Sequence, residues 1–283
     1  MRITMFGLGE AGAAIGADLV AAGLDVHGYD PAGVATPRGL HRHPDPSTAA
    51  VGSDLVLAVT AAIDAPTALG QALDAIPRRA VYADLSTAAA GLKQRLASEA
   101  DIAGLLFVDV ALMSPVPGKG VRTPALASGP GAPSFIDMMG PLGMPVQFAG
   151  DQAGAAATRK LLRSVVMKGL AALVAESMEA ARAAGFAEET WQNLVEQFTA
   201  ADEAFIRRLV EGTAPHALRR LHEMEASAEL LNELGVDPVM TRSTVQSLQR
   251  IRAGSKLPVL PDLSDLAAAT QHQQPAVSKG ALG

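Results

Sequence analysis

The sequence predicts an N-terminal α/β domain over residues 1–150, a doubly wound and mostly parallel sheet, followed by an all-α domain over residues 151–283. Three observations carry this. Residues 2–6 form a short apolar run that passes straight into Gly7-Leu8-Gly9-Glu10-Ala11-Gly12, a G-x-G-x-x-G, and then into an Ala-rich helical stretch ending at Ala22. Short apolar runs then alternate with helical stretches across short loops, the pattern of strands covered by helices. After residue 150 extended segments stop, and only helical periodicity follows.

In the opening motif, Gly7 permits the tight turn, Gly9 lets the backbone approach a pyrophosphate, and Gly12 lets the helix pack closely on the strand. The helix N-terminus offers unpaired N–H groups and a positive dipole end to phosphates. The next strand, Asp25-Val26-His27-Gly28-Tyr29, ends on Asp30. That acid is placed to accept from an adenosine ribose 2′-hydroxyl and would repel a 2′-phosphate, which favours NAD and leaves NADP open. A purely structural glycine-rich turn would not explain an acid at the tip of the second strand.

Residues 31–46 read as loop with at most one short strand. His41 and His43 lack a third ligand nearby and are read as solvated loop histidines, so no metal site is expected. Residues 54–60 form the next strand, placing Val59 and Thr60 at its carboxyl end, where open parallel sheets bind ligands. A helix over 65–76 is closed by Pro77. A strand over 80–84 leads into Asp84-Leu85-Ser86-Thr87, with Ser86 or Thr87 as N-cap of a helix reaching Glu99. Val59, Thr60, Ser86 and Thr87 thus join Gly7 to Gly12 and Asp30 as candidate cofactor contacts. A strand over 105–110 follows, and the Pro- and Gly-rich segment 111–124 breaks the pattern around Ser114, Lys119 and Arg122. A strand over 125–128, a helix over 134–139 and a strand over 144–148 complete the domain.

Residues 151–184 read as one long connecting helix, then helices over 188–211, 215–234 and 238–253, with Gly185, Gly212 and Gly235 at their ends. The tail from Gly254 is expected to lie over a neighbour or to move. The net charge of −6 argues against nucleic acid or an anionic membrane as main partner. The absence of cysteine excludes disulfides, thiolate metal sites and cysteine nucleophiles. A strand beginning at residue 2, and no apolar run near the roughly 20 residues of a membrane span, lead to the expectation of a soluble cytoplasmic protein.

A dinucleotide domain needs an acid/base from elsewhere to move a substrate proton. The long helix offers one. Lys160, Arg163, Ser164 and Lys168 share a face, while Leu161, Leu162, Val165 and Val166 form an apolar one. Lysines on helices are ordinarily solvated surface groups, but this basic face lies just past the domain junction, where clefts form.

Taken together, these motifs resemble the β-hydroxyacid dehydrogenase family, which includes 3-hydroxyisobutyrate and tartronate-semialdehyde enzymes and is related to 6-phosphogluconate dehydrogenase. The family's G-L-G-x-M-G stands here as Gly7 to Gly12, and its D-x-S-T as Asp84 to Thr87. Its substrate loop corresponds to Asp109-Val110-Ala111-Leu112-Met113-Ser114-Pro115, with Gly129 at the later glycine. Its G-x-G-x-x-x-K-x-x-N-N helix is matched from Gly154 to Ser164, which puts the catalytic lysine at Lys160. Its K-D-L falls on His222-Glu223-Met224. The chain departs from the family at Met113, where a serine orients substrate, at Arg163 and Ser164, where two asparagines stand, and at His222, where a lysine stands.

The resemblance implies reversible hydride transfer between a small anionic 3-hydroxy acid and NAD, with Lys160 as general acid/base. Ser114 and the loop amides would hold the substrate carboxylate, and Arg163 and Ser164 its other end. Arg163 suggests a second carboxylate or a phosphate on the substrate, or else a pair with a Glu of a partner subunit. His222 either closes the cleft or is a surface histidine, and Arg219, Arg220 and Glu223 are expected to form surface ion pairs. An Ala- and Leu-rich long helix points to a homodimer through the helical domain. Three rivals stay open: an imine reductase, a decarboxylating phosphogluconate-type enzyme, and an NAD-binding protein without turnover.

Overall fold

The computed structural model describes residues 1–262. The first part alternates strand and helix: β1 (Arg2–Phe6), α1 (Glu10–Ala21), β2 (Asp25–Tyr29), β3 (His41–Arg42), α2 (Pro46–Ala50), β4 (Leu55–Ala58), α3 (Ala65–Ala72), β5 (Val81–Asp84), α4 (Ala90–Ile102), β6 (Leu106–Leu112), β7 (Ala125–Ser128), α5 (Ala132–Met139) and β8 (Val146–Gly150). The strands form one eight-stranded sheet in the order β3-β2-β1-β4-β5-β6-β7-β8. All neighbours are parallel except β6 and β7. The chain order reverses between β1 and β4, the topological switch point at which doubly wound sheets bind ligands.

β1, β4 and β5 are almost wholly buried, which is why they read as continuous apolar runs and not as alternation. Two cores result. Ile15 and Leu19 of α1 with Phe135 and Met139 of α5 pack on one face. Ala49 of α2, Leu69 of α3 and Leu96 of α4 pack on the other. The short α2 escapes a periodicity reading because it is only five residues long. Its signal is the Asp45-Pro46 pair, with the Asp45 carboxylate accepting from the Thr48 amide at 2.7 Å.

The helical part follows as α6 (Ala155–Ala184), α7 (Ala187–Thr199), α8 (Glu203–Glu211), α9 (Ala217–Glu233) and α10 (Val239–Arg252). The single helix expected over 188–211 is two, because Asp202 leaves the helix in an extended conformation and its carboxylate accepts from the Phe205 amide at 2.8 Å. The chain packs as one unit over Met1–Met167 and a second from Lys168 onward. The sheet ends at Gly150, beside the expected junction at 150/151, but the first unit continues into α6. Asp109 of β6 accepts from the Gly154 and Ala157 amides, and Ser128 of β7 accepts from the Ala156 amide, so the first turn of that helix hangs from the sheet. Within the second unit, Glu176 of α6 accepts from the Met240 and Thr241 amides and caps α10. Of the tail expectation from Gly254, residues 263–283 lie outside the described residues.

Candidate functional site

The first unit carries two polar constellations along the carboxyl edge of the sheet. At the switch point a cavity of about 460 Å³ is lined by Gly7, Gly9, Tyr29, Asp30, Val59 and Thr60, and floored toward α3 by Asp64, Thr67 and Gln71. Gly7 has φ +90°, and a Cβ there would lie 2.4 Å from the Val59 carbonyl oxygen. At Gly12 a Cβ would lie 2.0 Å from the Gly7 carbonyl oxygen, so the helix can approach the turn only as glycine. Over Gly9 there is no atom within 4 Å of the corresponding position, which leaves the space a pyrophosphate requires. No side chain caps the N-terminus of α1, so the first-turn amides at Glu10 and Ala11 are left for a ligand. Leu8 contributes backbone alone, since its side chain is buried in the core.

Asp30 lines this cavity, with one carboxylate oxygen accepting from the Leu8 amide at 2.7 Å and the other from Ala32 at 2.8 Å. Arg42 was not singled out by its sequence position. It donates to the carbonyls of Asp30, Ala32 and Val34 and so holds the loop on which the acid sits. Thr60 Oγ1 is buried at the cavity wall without a hydrogen-bond partner. An open glycine cradle, free first-turn amides, an acid at the strand tip and an orphaned hydroxyl together fit a nicotinamide dinucleotide.

The second constellation surrounds Lys160. Its Nζ donates to Thr87 Oγ1 at 2.9 Å. Burial, and after it the cation of Lys93, hold the Lys160 ammonium below the ordinary lysine range, against a smaller opposing pull from Asp109. Thr60 and Thr87 follow the ends of β4 and β5, which pair Ala58 with Asp84, so the two constellations occupy adjacent strand ends. Neither Ser86 nor Thr87 is the N-cap of α4, which is Ala89 without a side-chain bond. Their hydroxyls are engaged elsewhere, Ser86 donating to Asp84 at 3.0 Å and Thr87 accepting from Lys160.

The loop after β6 is pinned from both sides. Arg163 donates to the Met113 carbonyl at 2.6 Å, while Asp18 of α1 accepts from the Val121 amide at 2.9 Å. Lys119 donates to Ser114 Oγ at 3.0 Å. Ser164 stands one helical turn beyond Lys160. His222 belongs to α9 of the second unit, in a shallow depression with His216 and Arg219. Arg219 pairs with Glu223 at 2.8 Å, whereas Arg220 bonds Thr213 instead of an acid. His41 and His43 are not isolated in the loop: His43 hydrogen-bonds His27 at 2.7 Å, and His41 stacks on it. Among the described residues no group of three or more His, Asp or Glu is arranged to hold a metal, and no helix is long and apolar enough to cross a membrane.

Residues 2–121 match the NAD binding domain of 6-phosphogluconate dehydrogenase. Over these residues the chain is similar to that family. This N-terminal domain binds NAD(P), and the cavity at the switch point fits that cofactor. Residues 181–251 match a domain of unknown function (DUF1932). An uncharacterised 28.5 kDa protein of Methanothermus fervidus is 26% identical over 145 residues, which are 51% of this chain and 56% of that protein. The chain therefore spans little more than half the length of this curated relative. A conserved protein of unknown function, described as structurally similar to 3-hydroxyacid dehydrogenases, is 25% identical with a TM-score of 0.58, covering 89% of this chain and 97% of its own. A reductive aminase from Aspergillus terreus, in complex with NADPH4, cyclohexanone and allyl amine, is 19% identical with a TM-score of 0.74, covering 89% and 94%. The chain has the 3-hydroxyacid dehydrogenase-like fold.

Proposed function

We propose that this chain is an NAD(P)-dependent oxidoreductase that acts on the alcohol of a small anionic 3-hydroxy acid, or reduces the matching carbonyl, with Lys160 as general acid/base. The observation that carries the reading is a lysine of lowered proton affinity held by Thr87 at the strand end next to the dinucleotide cavity. Bound in that cavity, the cofactor supplies a nicotinamide ring able to accept or return a hydride. The neutral Lys160 amine donates one N–H to Thr87, which turns its lone pair toward a substrate hydroxyl. During oxidation it takes the hydroxyl proton, and during reduction the ammonium returns it. Ser114, polarised by Lys119, and the backbone amides of the pinned loop bind the substrate carboxylate. Arg163 uses one nitrogen on Met113 and keeps the others for a second anionic group, with Ser164 beside it. Asp30, with its loop held by Arg42 carbonyl contacts, favours NAD over NADP.

The functional form in this reading is a homodimer through the helical domain. α7 and α8 bury none of their residues, and Trp191, Phe198 and Ile206 on them are exposed, as are Leu162 and Val165 on α6. So many exposed large apolar side chains are uncommon on a monomer. Sedimentation equilibrium at micromolar concentration should return twice the chain mass, and a monomer would overturn this part.

The test of activity is reduced-nicotinamide absorbance across 3-hydroxy acids, including dicarboxylic and phosphorylated ones, with NAD and NADP. The reading expects turnover with an acid of that class. The closer fold match to the reductive aminase, at TM-score 0.74 against 0.58, puts cyclic imines in the same panel as the second reading. Turnover of imines alone would replace the first reading with it. Cofactor binding with silence throughout would favour a non-catalytic protein.

A further inference from the structure

Beneath Lys160 lies a charged group with no part in the chemistry above. Lys93 of α4 is wholly buried, as are Asp84 and Asp109. Its Nζ donates to the Asp84 carboxylate at 3.0 Å, the Asp84 carbonyl at 3.0 Å and the Ser86 carbonyl at 2.8 Å. It also stands 3.3 Å from Asp109 Oδ1, an oxygen with no hydrogen bond of its own. The ammonium therefore joins the end of β5 to the middle of its neighbour β6.

Each acid continues outward to one half of the Lys160 pair. Asp84 accepts from the Ser86 amide and hydroxyl, which sets the backbone immediately before Thr87. The second oxygen of Asp109 accepts from the Gly154 amide at 3.1 Å and the Ala157 amide at 2.9 Å, one turn before Lys160. The contact from Lys160 to Thr87 closes the ring. The residue just before α6 also meets the start of α4 at the base of this ring, since a Cβ on Gly154 would lie 2.9 Å from Ala90. Removing charges from water is costly, and well-packed apolar residues of similar volume commonly serve stability as well or better. A buried cation between two acids is thus explained better by what it aligns than by what it stabilises.

We propose that Lys93 is a positioning residue for Lys160: by tying the end of β5 to the middle of β6 it holds Thr87 and the first turn of α6 at hydrogen-bond distance across the site. This inference rests on the reading of Lys160 as the acid/base. The charged groups acting on Lys160 are Lys93 from α4 and Asp109 from β6, with Asp84 of β5 paired to Lys93. Loss of the Lys93 cation leaves two acids nearby, so Lys160 holds its proton to higher pH. Misalignment on the ångström scale costs roughly 100-fold in turnover.

The test compares wild type with Lys93→Met and Asp84→Asn in the full-length protein. Lys160 titration is read without substrate by competitive acetic anhydride labelling against pH, followed by mass spectrometry, and kcat and KM are measured on the substrate found in the panel. The expected result is a labelling midpoint moved to higher pH in Lys93→Met, with kcat about 100-fold lower and KM changed much less. If Lys93→Met does not fold, Asp84→Asn, nearly isosteric, decides: with the Lys93 cation kept and one acid lost, the labelling midpoint is expected at lower pH and kcat again falls. Folded variants with unaltered labelling and kcat overturn the proposal, and so does failure of both variants to fold, which would assign the network to stability. A shifted labelling curve in a protein that turns over nothing would uphold the alignment by Lys93 while refuting the dehydrogenase reading.

Discussion

The carboxyl edge of the sheet is built in two opposite ways. Around β1, β2 and β4, recognition is made by missing side chains: Gly7 and Gly12 are glycine because backbone oxygens occupy the space of a Cβ, and Gly9 leaves open space for a phosphate. Asp30 is the acid at the tip of β2, and its loop is held by Arg42 donating to backbone carbonyls. Around β5 and β6 the site rests on buried charge, with Lys93, Asp84 and Asp109 wholly inaccessible beneath Lys160. The first arrangement suits a large ligand carrying its own charges, since amides and a helix dipole receive them at little reorganisation cost. The second suits a single proton, whose affinity must be tuned by burial and fixed neighbouring charge.

The sharpest way to break this comparison is to remove the lysine. Lys160→Ala should lower kcat by about 10²–10⁴-fold, the usual contribution of a positioned acid/base, while NAD affinity measured by calorimetry stays as in wild type. A parallel loss of cofactor binding would show that the two regions are not separable. Next in size, Gly7→Ala combines a positive φ with a clash on the Val59 carbonyl. Overpacking of about 1–3 kcal/mol corresponds to roughly 10–100-fold weaker NAD binding, and Lys160 labelling against pH should be unaffected. Asp30→Ala should weaken NAD roughly tenfold through loss of a charged acceptor, and narrow the gap to NADP, as read from KM for each cofactor. Smallest of all, Asp202→Ala removes the N-cap of α8. It should cost about 1 kcal/mol in urea unfolding and leave both regions of the first unit untouched.

The two halves of the edge also differ in how far they can be read without coordinates. Gly7, Gly9, Gly12 and Asp30 announce themselves because local backbone geometry dictates residue type at fixed spacing. Lys160 was legible through the helix face and the family pattern. Lys93 was not, because in Ala-Gly-Leu-Lys-Gln-Arg it occupies a helix position like any surface lysine. The signal lay elsewhere: Asp109 sits inside an apolar strand and Asp84 closes one, and buried acids require a cation or amide partner. Ser86 and Thr87 illustrate the same limit. A hydroxyl before a helix reads as a cap, yet tertiary partners at Asp84 and Lys160 outbid the local amides. Arg163 reads as a free cation on a helix face, and only the path of the loop brings the Met113 carbonyl to it.

The central claim, that Lys160 moves the substrate proton, is tested most directly by the pH dependence of kcat/KM for oxidation. The neutral amine is the active form in that direction, and burial together with Lys93 lowers the pH at which it forms. The account predicts a rise with pH through one ionisation below the ordinary lysine range, a mirror-image fall for reduction, and no such limb in Lys160→Ala. A residual activity in Lys160→Ala that follows the wild-type profile would contradict it.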